Sequence, residues 1–240
     1  MELLKISNLN KNFGGLTVTK DLTMHINKGQ IFGIIGPNGA GKSSLFNQIS
    51  GYIKPDSGSI FYKGEDITGL PPHVLSKKGI GRTFQIVKPF KSETVLYNVT
   101  VGAFNITNNR KEAIQRAEEV LKLVGLYHKK DVLAKNLTIV DLKRLEIAKA
   151  MATNPDLLLL DEVLAGLTPS EVDEATKLIE KIRDNGVTIL MIEHVMQAVM
   201  ALCERVVVIS YGIPIAEGTP EEVTKNPEVI TAYLGADEDE

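Results

Sequence analysis

Gly36-Pro-Asn-Gly-Ala-Gly-Lys-Ser43 follows the apolar run Ile31-Phe-Gly-Ile-Ile35 and leads into a stretch, residues 42–50, with helical patterning. The spacing is that of a phosphate-binding loop, G-x-x-x-x-G-K-[ST], set between a buried strand and a helix. Each residue type has a physical reason to be there. Glycines let successive backbone N–H groups converge on a phosphate, and the helix N-terminus adds the positive end of its dipole. Lys42 brings a cation to the β- and γ-phosphates of a nucleotide, and the Ser43 hydroxyl is a ligand for Mg2+. A strand–loop–helix unit of this kind belongs in an α/β fold, and the remaining chain can be read outward from it.

Leu157-Leu-Leu-Leu-Asp-Glu162 supplies a second half. An uninterrupted apolar run is the pattern of a strand buried on both faces. Its C-terminal end, where open α/β sheets bind ligands, carries two carboxylates. There Asp161 would hold Mg2+ through its water shell, and Glu162 would polarise an attacking water as general base.

The flanking sequence completes the architecture. Short apolar runs at residues 187–192 and 205–209 alternate with amphipathic stretches, which predicts a largely parallel sheet. Residues 3–7 and the alternation Leu22, Met24, Ile26 predict an antiparallel β layer at the start of the chain. Residues 59–62 and 81–84 read as further strands. Helical patterning fills residues 85–137, clearest over 111–124, and predicts a helical subdomain inserted into the sheet domain. Near the end, residues 210–213 read as a turn between two strands. Thr219-Pro-Glu-Glu222 has the order of a capping box, and residues 236–240 read as a frayed acidic tail.

Composition narrows the class. Across 240 residues, 27 basic and 30 acidic side chains leave a net formal charge of −3, without the basic footprint of a nucleic-acid binder. The single cysteine, Cys203, forms no internal disulfide, which suits a reducing compartment. The start of the chain lacks the pattern of a signal peptide, and no apolar run approaches the ~20 residues that span a bilayer. The chain reads as soluble and intracellular, with any membrane role supplied through a partner.

Further residues fall in a recognisable order: Phe13 after the first strand, Gln85 at the end of Gly81-Arg-Thr-Phe-Gln85, and His194 directly after the strand at 188–192. With the two motifs above, the chain resembles the ATP-binding subunit of an ABC transporter over essentially all its length. The segments Thr94-Val-Leu-Tyr-Asn-Val99, Ile192-Glu-His194, Ile215-Ala-Glu-Gly-Thr-Pro-Glu-Glu222 and Tyr233-Leu-Gly235 narrow the resemblance to the ATPase subunits of branched-chain amino-acid importers.

The resemblance implies a P-loop NTPase fold of the ABC type, a mixed sheet core with an N-terminal antiparallel β layer. It implies one domain over residues 1–240, with a RecA-like core in 1–85 and 153–240 and a helical subdomain in 86–152. It implies ATP and Mg2+ as cofactors. Phe13 would stack on adenine, and Gly36, Asn38, Gly39, Ala40, Gly41, Lys42, Ser43 and Ser44 would cradle the phosphates, with Thr138 contacting nucleotide from the signature region. Ser43, Gln85 and Asp161 would serve the metal, while Glu162, His194 and Gln85 would serve hydrolysis. His25, His73 and His128 lack such a context and read as surface or packing residues.

The implied partners are a second ABC ATPase subunit, identical or not, two membrane permease subunits and, indirectly, a substrate-binding protein, at the cytoplasmic face of the cell membrane. Residues 87–98 mix apolar and basic side chains as a groove receiving a partner helix would. The alternatives are a soluble ABC ATPase of repair or translation and a nucleotide-binding regulator with weak turnover. Against the first, no sustained heptads lie between the phosphate loop and residue 137, and there is one cassette rather than two. Against the second stand Glu162 and His194.

One stretch departs from the family. Its signature, usually Leu-Ser-Gly-Gly-Gln, aligns with Leu137-Thr-Ile-Val-Asp141, followed by the well-matched Leu142-Lys-Arg-Leu-Glu-Ile-Ala-Lys-Ala150. Ile139 and Val140 are β-branched where the family has glycines, and Asp141 puts a negative charge where a polyanion is to be met. Thr138 still offers a hydroxyl, and Asp141 suits an empty helix N-terminus. The reading is an impaired composite site at this signature, the rival being a signature that works through hydroxyl and dipole. The family's Ser-Ala-Leu-Asp loop likewise reads Ala165-Gly-Leu-Thr168.

Overall fold

A computed structural model describes residues 1–234 of the chain. In chain order the elements are β1 (Glu2–Phe13), β2 (Leu16–Asn27), β3 (Ile31–Ile35), α1 (Lys42–Ile49), β4 (Ser57–Tyr62), β5 (Glu65–Asp66), α2 (Pro72–Lys78), β6 (Ile80–Arg82), α3 (Val95–Ala103), α4 (Arg110–Leu123), α5 (Ile139–Ala152), β7 (Leu157–Asp161), α6 (Pro169–Asp184), β8 (Thr188–Ile192), α7 (Met196–Leu202), β9 (Arg205–Ser210), β10 (Ile213–Gly218), α8 (Pro220–Val223) and α9 (Pro227–Leu234). They form two compact units, Met1–Leu75 with the described residues from Thr188 on, and Ser76–Val187.

The first unit contains two sheets. In one, β1 pairs antiparallel with β2 on one side and β4 on the other, and β5 closes the edge. This is the expected antiparallel layer, with longer strands than the apolar alternation alone marks. In the other, β3 lies between β8 and β9 and runs parallel to both, while β10 returns antiparallel to β9. All five residues of β3 and of β8 are buried, as continuous apolar runs require. Cys203 is buried beside this sheet; burial first, then the carboxylates of Glu204 and Glu193, push its thiol up to about 12, so it stays protonated and unreactive.

The second unit holds the parallel pair β6–β7, in register Ile80 with Leu157 and Arg82 with Leu159, and helices α3, α4 and α5 packed on one another. Caps set the helix starts. Thr138 accepts from the Asp141 N–H at α5, Thr94 from Tyr97 at α3, and Thr168 with Glu171 forms a capping box around Pro169 at α6. The box expected at Thr219 and Glu222 is present at α8.

Two expectations change. The strand placed at residues 81–84 is Ile80–Arg82: the Thr83 N–H makes the last bond to β7, and its hydroxyl takes the N–H of Asp161. The helical patterning from residue 85 produces no helix before Val95; residues 86–94 form a loop held by side-chain bonds from α3. The acidic tail at residues 236–240 lies outside the described residues. Among the described residues no helix is long and apolar enough to cross a membrane.

Candidate active site

The phosphate loop emerges from β3 and ends in α1. Gly36 and Gly41 have φ of +151° and +101°. A Cβ on either would overlap backbone, the carbonyl of Ile209 at Gly36 and that of Val18 at Gly41, so only glycine fits. Gly39, at φ +74°, faces open space. The turn between β9 and β10 props the loop from behind. Gly212 N–H donates to Ala40 O at 2.8 Å, and Gly212 O accepts from Lys20 N–H at 2.8 Å.

Lys42 is 6% exposed, and its Nζ donates to the carbonyls of Gly36 at 2.7 Å and Pro37 at 2.8 Å. A buried ammonium is thus satisfied by the loop it belongs to. Asn38, Gly39 and Ser43 are exposed, while Ala40 is buried and Ser44 half-buried. The same unit carries Phe13, half-exposed at the end of β1 with Lys11 Nζ 5.2 Å from its ring centroid, and His194, exposed just beyond β8. A flat aromatic face beside a cation is chemically suited to a base and its phosphates.

The second unit carries the carboxylates. Asp161, 4% exposed, ends β7 and receives Arg82 Nη2 on Oδ2 at 3.0 Å, an ion pair with both side chains buried. The Asp161 N–H donates to Thr83 Oγ1 at 3.0 Å, and Thr83 N–H donates to Leu159 O at 2.9 Å. Arg82 pairs the buried carboxylate, and Thr83 satisfies the main-chain N–H beside it.

Glu162 follows with φ +50°, a left-handed conformation that costs a residue with a Cβ about 1–2 kcal/mol. Its Oε2 accepts from Gln85 Nε2 at 2.6 Å, and its carbonyl accepts from Lys143 Nζ of α5 at 3.3 Å. Phe84, Gln85, Val87, Lys143, Glu146, Asp161, Glu162 and Val163 line one small cavity. Sequence reading brings Gln85, Asp161 and Glu162 forward; it misses Arg82, Thr83 and Lys143. Arg82 and Thr83 lie inside the segment 81–85, yet nothing in their spacing announces a bond to Asp161.

At the departing signature, Thr138 is occupied. Its Oγ1 donates to Asp141 Oδ2 at 2.9 Å and accepts from the Asp141 N–H at 3.2 Å. Lys129 Nζ meets the same Oδ2 at 2.6 Å. The hydroxyl that the sequence leaves available is spent on capping α5, and Ile139, 69% exposed, stands where the family has glycine. Burial pushes the Asp141 carboxyl up, but the bonds from Lys129 and Thr138 outweigh it and hold it below the usual carboxylate range.

A depressed folded-state value stabilises above the unfolded value of about 3.9 and is lost as pH falls through the folded value. Asp141→Asn is therefore expected to unfold about 1–3 kcal/mol more easily at pH 7. In paired denaturant titrations the gap from wild type should close as pH drops below about 4; a gap independent of pH would show that the charge does not stabilise.

Comparison with known proteins identifies the family. The ABC transporter family model matches residues 19–165, and the model described as branched-chain amino acid ATP-binding cassette transporter matches residues 214–239. The high-affinity branched-chain amino acid transport ATP-binding protein BraF of Pseudomonas aeruginosa is 40% identical, over 97% of this chain and 98% of its own length. LivG of Escherichia coli, with the same description, is 39% identical over 97% and 98%. A crystal structure of the ADP conformation of an ATP-binding cassette superposes with TM-score 0.90 at 32% identity, covering 98% of this chain and 99% of that one. The chain therefore belongs to the ABC transporter family, as one of its ATP-binding, ATP-hydrolysing subunits.

Proposed function

We propose that this chain energises an importer of branched-chain amino acids or similar small polar solutes from the cytoplasmic face of the cell membrane. The observation that carries the ATPase half of the reading is the phosphate loop, whose two packed glycines admit no side chain and whose lysine is held within it. The solute class rests on the relatives' named activity and on the match at residues 214–239.

In this reading Phe13 stacks on adenine, and the loop from Gly36 to Ser44 takes the phosphates. Ser43 and Asp161 offer Mg2+ a hydroxyl and a carboxylate, oxygen donors of the kind that ion takes together with nucleotide phosphates, and Gln85 adds an amide. When bound, Mg2+ neutralises phosphate charge. Glu162 accepts a proton from the attacking water, and His194 steadies the γ-phosphate. Residues 86–152 act as the helical subdomain of a single ABC domain, the core being 1–85 and 153–240.

The partners are a second ABC ATPase subunit, two membrane permeases and, through them, a substrate-binding protein. An exposed apolar surface supports the permease contact: Phe84, Ile86, Phe90, Tyr97, Phe104 and Ile106 all lie open in the second unit. It is firmly built. Buried Asn98 accepts from Phe90 N–H at 2.8 Å and donates to Phe90 O at 3.1 Å, and the Phe90 and Tyr97 rings meet edge to face. Phe90→Ser is expected to lower transport-coupled ATP turnover about tenfold while ATP affinity stays within about twofold. Equal losses in both would remove the surface from coupling.

The occupied Thr138 and the charge of Asp141 favour an asymmetric pair, with ATP held but slowly hydrolysed where this signature caps it. The test is to isolate the chain with its membrane complex, identify the other subunits and measure ATP-driven leucine uptake in proteoliposomes. A second ATPase with an intact Ser-Gly-Gly signature and uptake of leucine supports the reading. Copies of this chain alone, turning over ATP, would overturn the asymmetry, and absence of any permease would overturn the transport role.

A further inference from the structure

Glu162 combines two features that need an explanation: a left-handed backbone without glycine, and a place at the end of a buried strand. A residue in such a conformation persists only when its surroundings over-determine it, and such strain clusters at functional sites. Two side chains from different parts of the second unit hold this residue. Gln85 grips the carboxylate, and Lys143 grips the backbone carbonyl. Lys143 lies in the first turns of α5, the helix capped by Thr138 and Asp141. It lines the same cavity as the carboxylates of Glu146, Asp161 and Glu162. Two of those carboxylates have cations of their own, Lys149 for Glu146 at 2.8 Å and Arg82 for Asp161 at 3.0 Å. Lys143 reaches the main chain of Glu162, where it can fix the twist that aims the side chain.

We propose that Lys143 is a positioning residue for hydrolysis, holding the left-handed backbone of Glu162 so that its carboxylate points where the attacking water is deprotonated. The proposal rests on the reading of Glu162 as the general base. It also gives α5 a direct link to that base, so that a change at the Thr138–Asp141 cap reaches Glu162 through one lysine.

The experiment uses the complete ATPase complex and reads kcat and KM for ATP in Lys143→Met, Lys143→Arg, Glu162→Gln and the Lys143→Met/Glu162→Gln double variant. Lys143→Met should lower kcat about tenfold, one barrier increment of that size, with KM within about twofold. Lys143→Arg, which keeps a cationic donor, should recover most of the loss. In the Glu162→Gln background Lys143→Met should cost nothing further, because a residue acting through Glu162 has nothing left to position. A kcat equal to wild type, a KM that rises in step, no recovery with arginine, or a full additional loss in the double variant would each overturn the proposal. Lys143 is half-buried on a helix surface, and thermal unfolding of each variant checks the fold. Should the methionine variant unfold, Lys143→Gln is read by the same criteria. If Glu162→Gln itself turns over like wild type, the assignment of the base fails rather than that of its holder.

Discussion

Glu162→Gln is expected to lower ATP turnover by about 10²- to 10⁴-fold while ATP affinity changes by less than about twofold, the range typical of removing a general base. The structure makes this a clean substitution. The bond from Gln85 Nε2 ends on Oε2 of Glu162, and a glutamine amide oxygen can accept it in the same place. The bond from Lys143 ends on the main chain, which the change does not alter. The change removes the negative charge and with it the capacity to take a proton, while this bond can be kept. Phosphate release at saturating ATP, paired with equilibrium binding of labelled ATP, separates the two quantities. In a mixed complex the contrast sharpens. The same change in this chain should stop nearly all turnover, while its counterpart in the partner should leave most of it, if the proposed asymmetric pair places Thr138 and Asp141 over the partner's nucleotide. The reverse pattern would place the working site at the other signature.

Much of this was legible before any coordinates. The run Ile31 to Ile35, the glycines after it and the run Leu157 to Leu160 are local signals: burial on both faces leaves no alternation, and a loop that wraps phosphate needs glycine where its backbone turns or packs on backbone. The capping box at Thr219 is local too, since donor and acceptor lie three residues apart. The unread features are those made by residues far apart in the chain. Arg82 meets Asp161 across 79 positions and Gln85 meets Glu162 across 77. No periodicity encodes such pairs; they exist only once β6 and β7 lie parallel in register. The left-handed backbone at Glu162 is invisible for the same reason, because tertiary bonds rather than the residue's own preference hold it.

The signature shows the limit most sharply. A threonine in that place advertises a hydroxyl, and sequence offers it to a nucleotide. The folded chain spends the hydroxyl on Asp141 three residues later, and Lys129 neutralises the carboxylate. The substitution that looks like damage to a phosphate contact is, in the folded chain, a consistent helix cap. Both descriptions have one chemical consequence: the N-terminus of α5 already has its anion, paired by Lys129, and the Thr138 hydroxyl is already engaged with it.

Lys42→Met is expected to weaken ATP binding about a hundredfold, the weight of a charge-assisted contact to phosphate at about 1.4 kcal/mol per factor of ten. Lys42 is buried and reaches the Gly36 and Pro37 carbonyls, so its ammonium sits inside the loop rather than over it. Arginine should not rescue it. A planar guanidinium is larger and cannot follow the path of the lysine stem, and the loop is closely packed, since even a Cβ on Gly36 or Gly41 would overlap the carbonyl of Ile209 or Val18. The readout is thermal stability with and without ATP. A ligand at a hundred times its Kd stabilises the folded state by about 2.7 kcal/mol, and the same concentration at its Kd by only about 0.4 kcal/mol. Wild type should therefore gain a clear upward shift in Tm with ATP, and both Lys42 variants almost none. Their nucleotide-free Tm should fall by a few degrees, because the part-exposed Pro37 carbonyl can turn to water while the buried Gly36 carbonyl loses its donor. An ATP-dependent shift of full size in Lys42→Met would mean that the backbone of the loop binds phosphate without its cation.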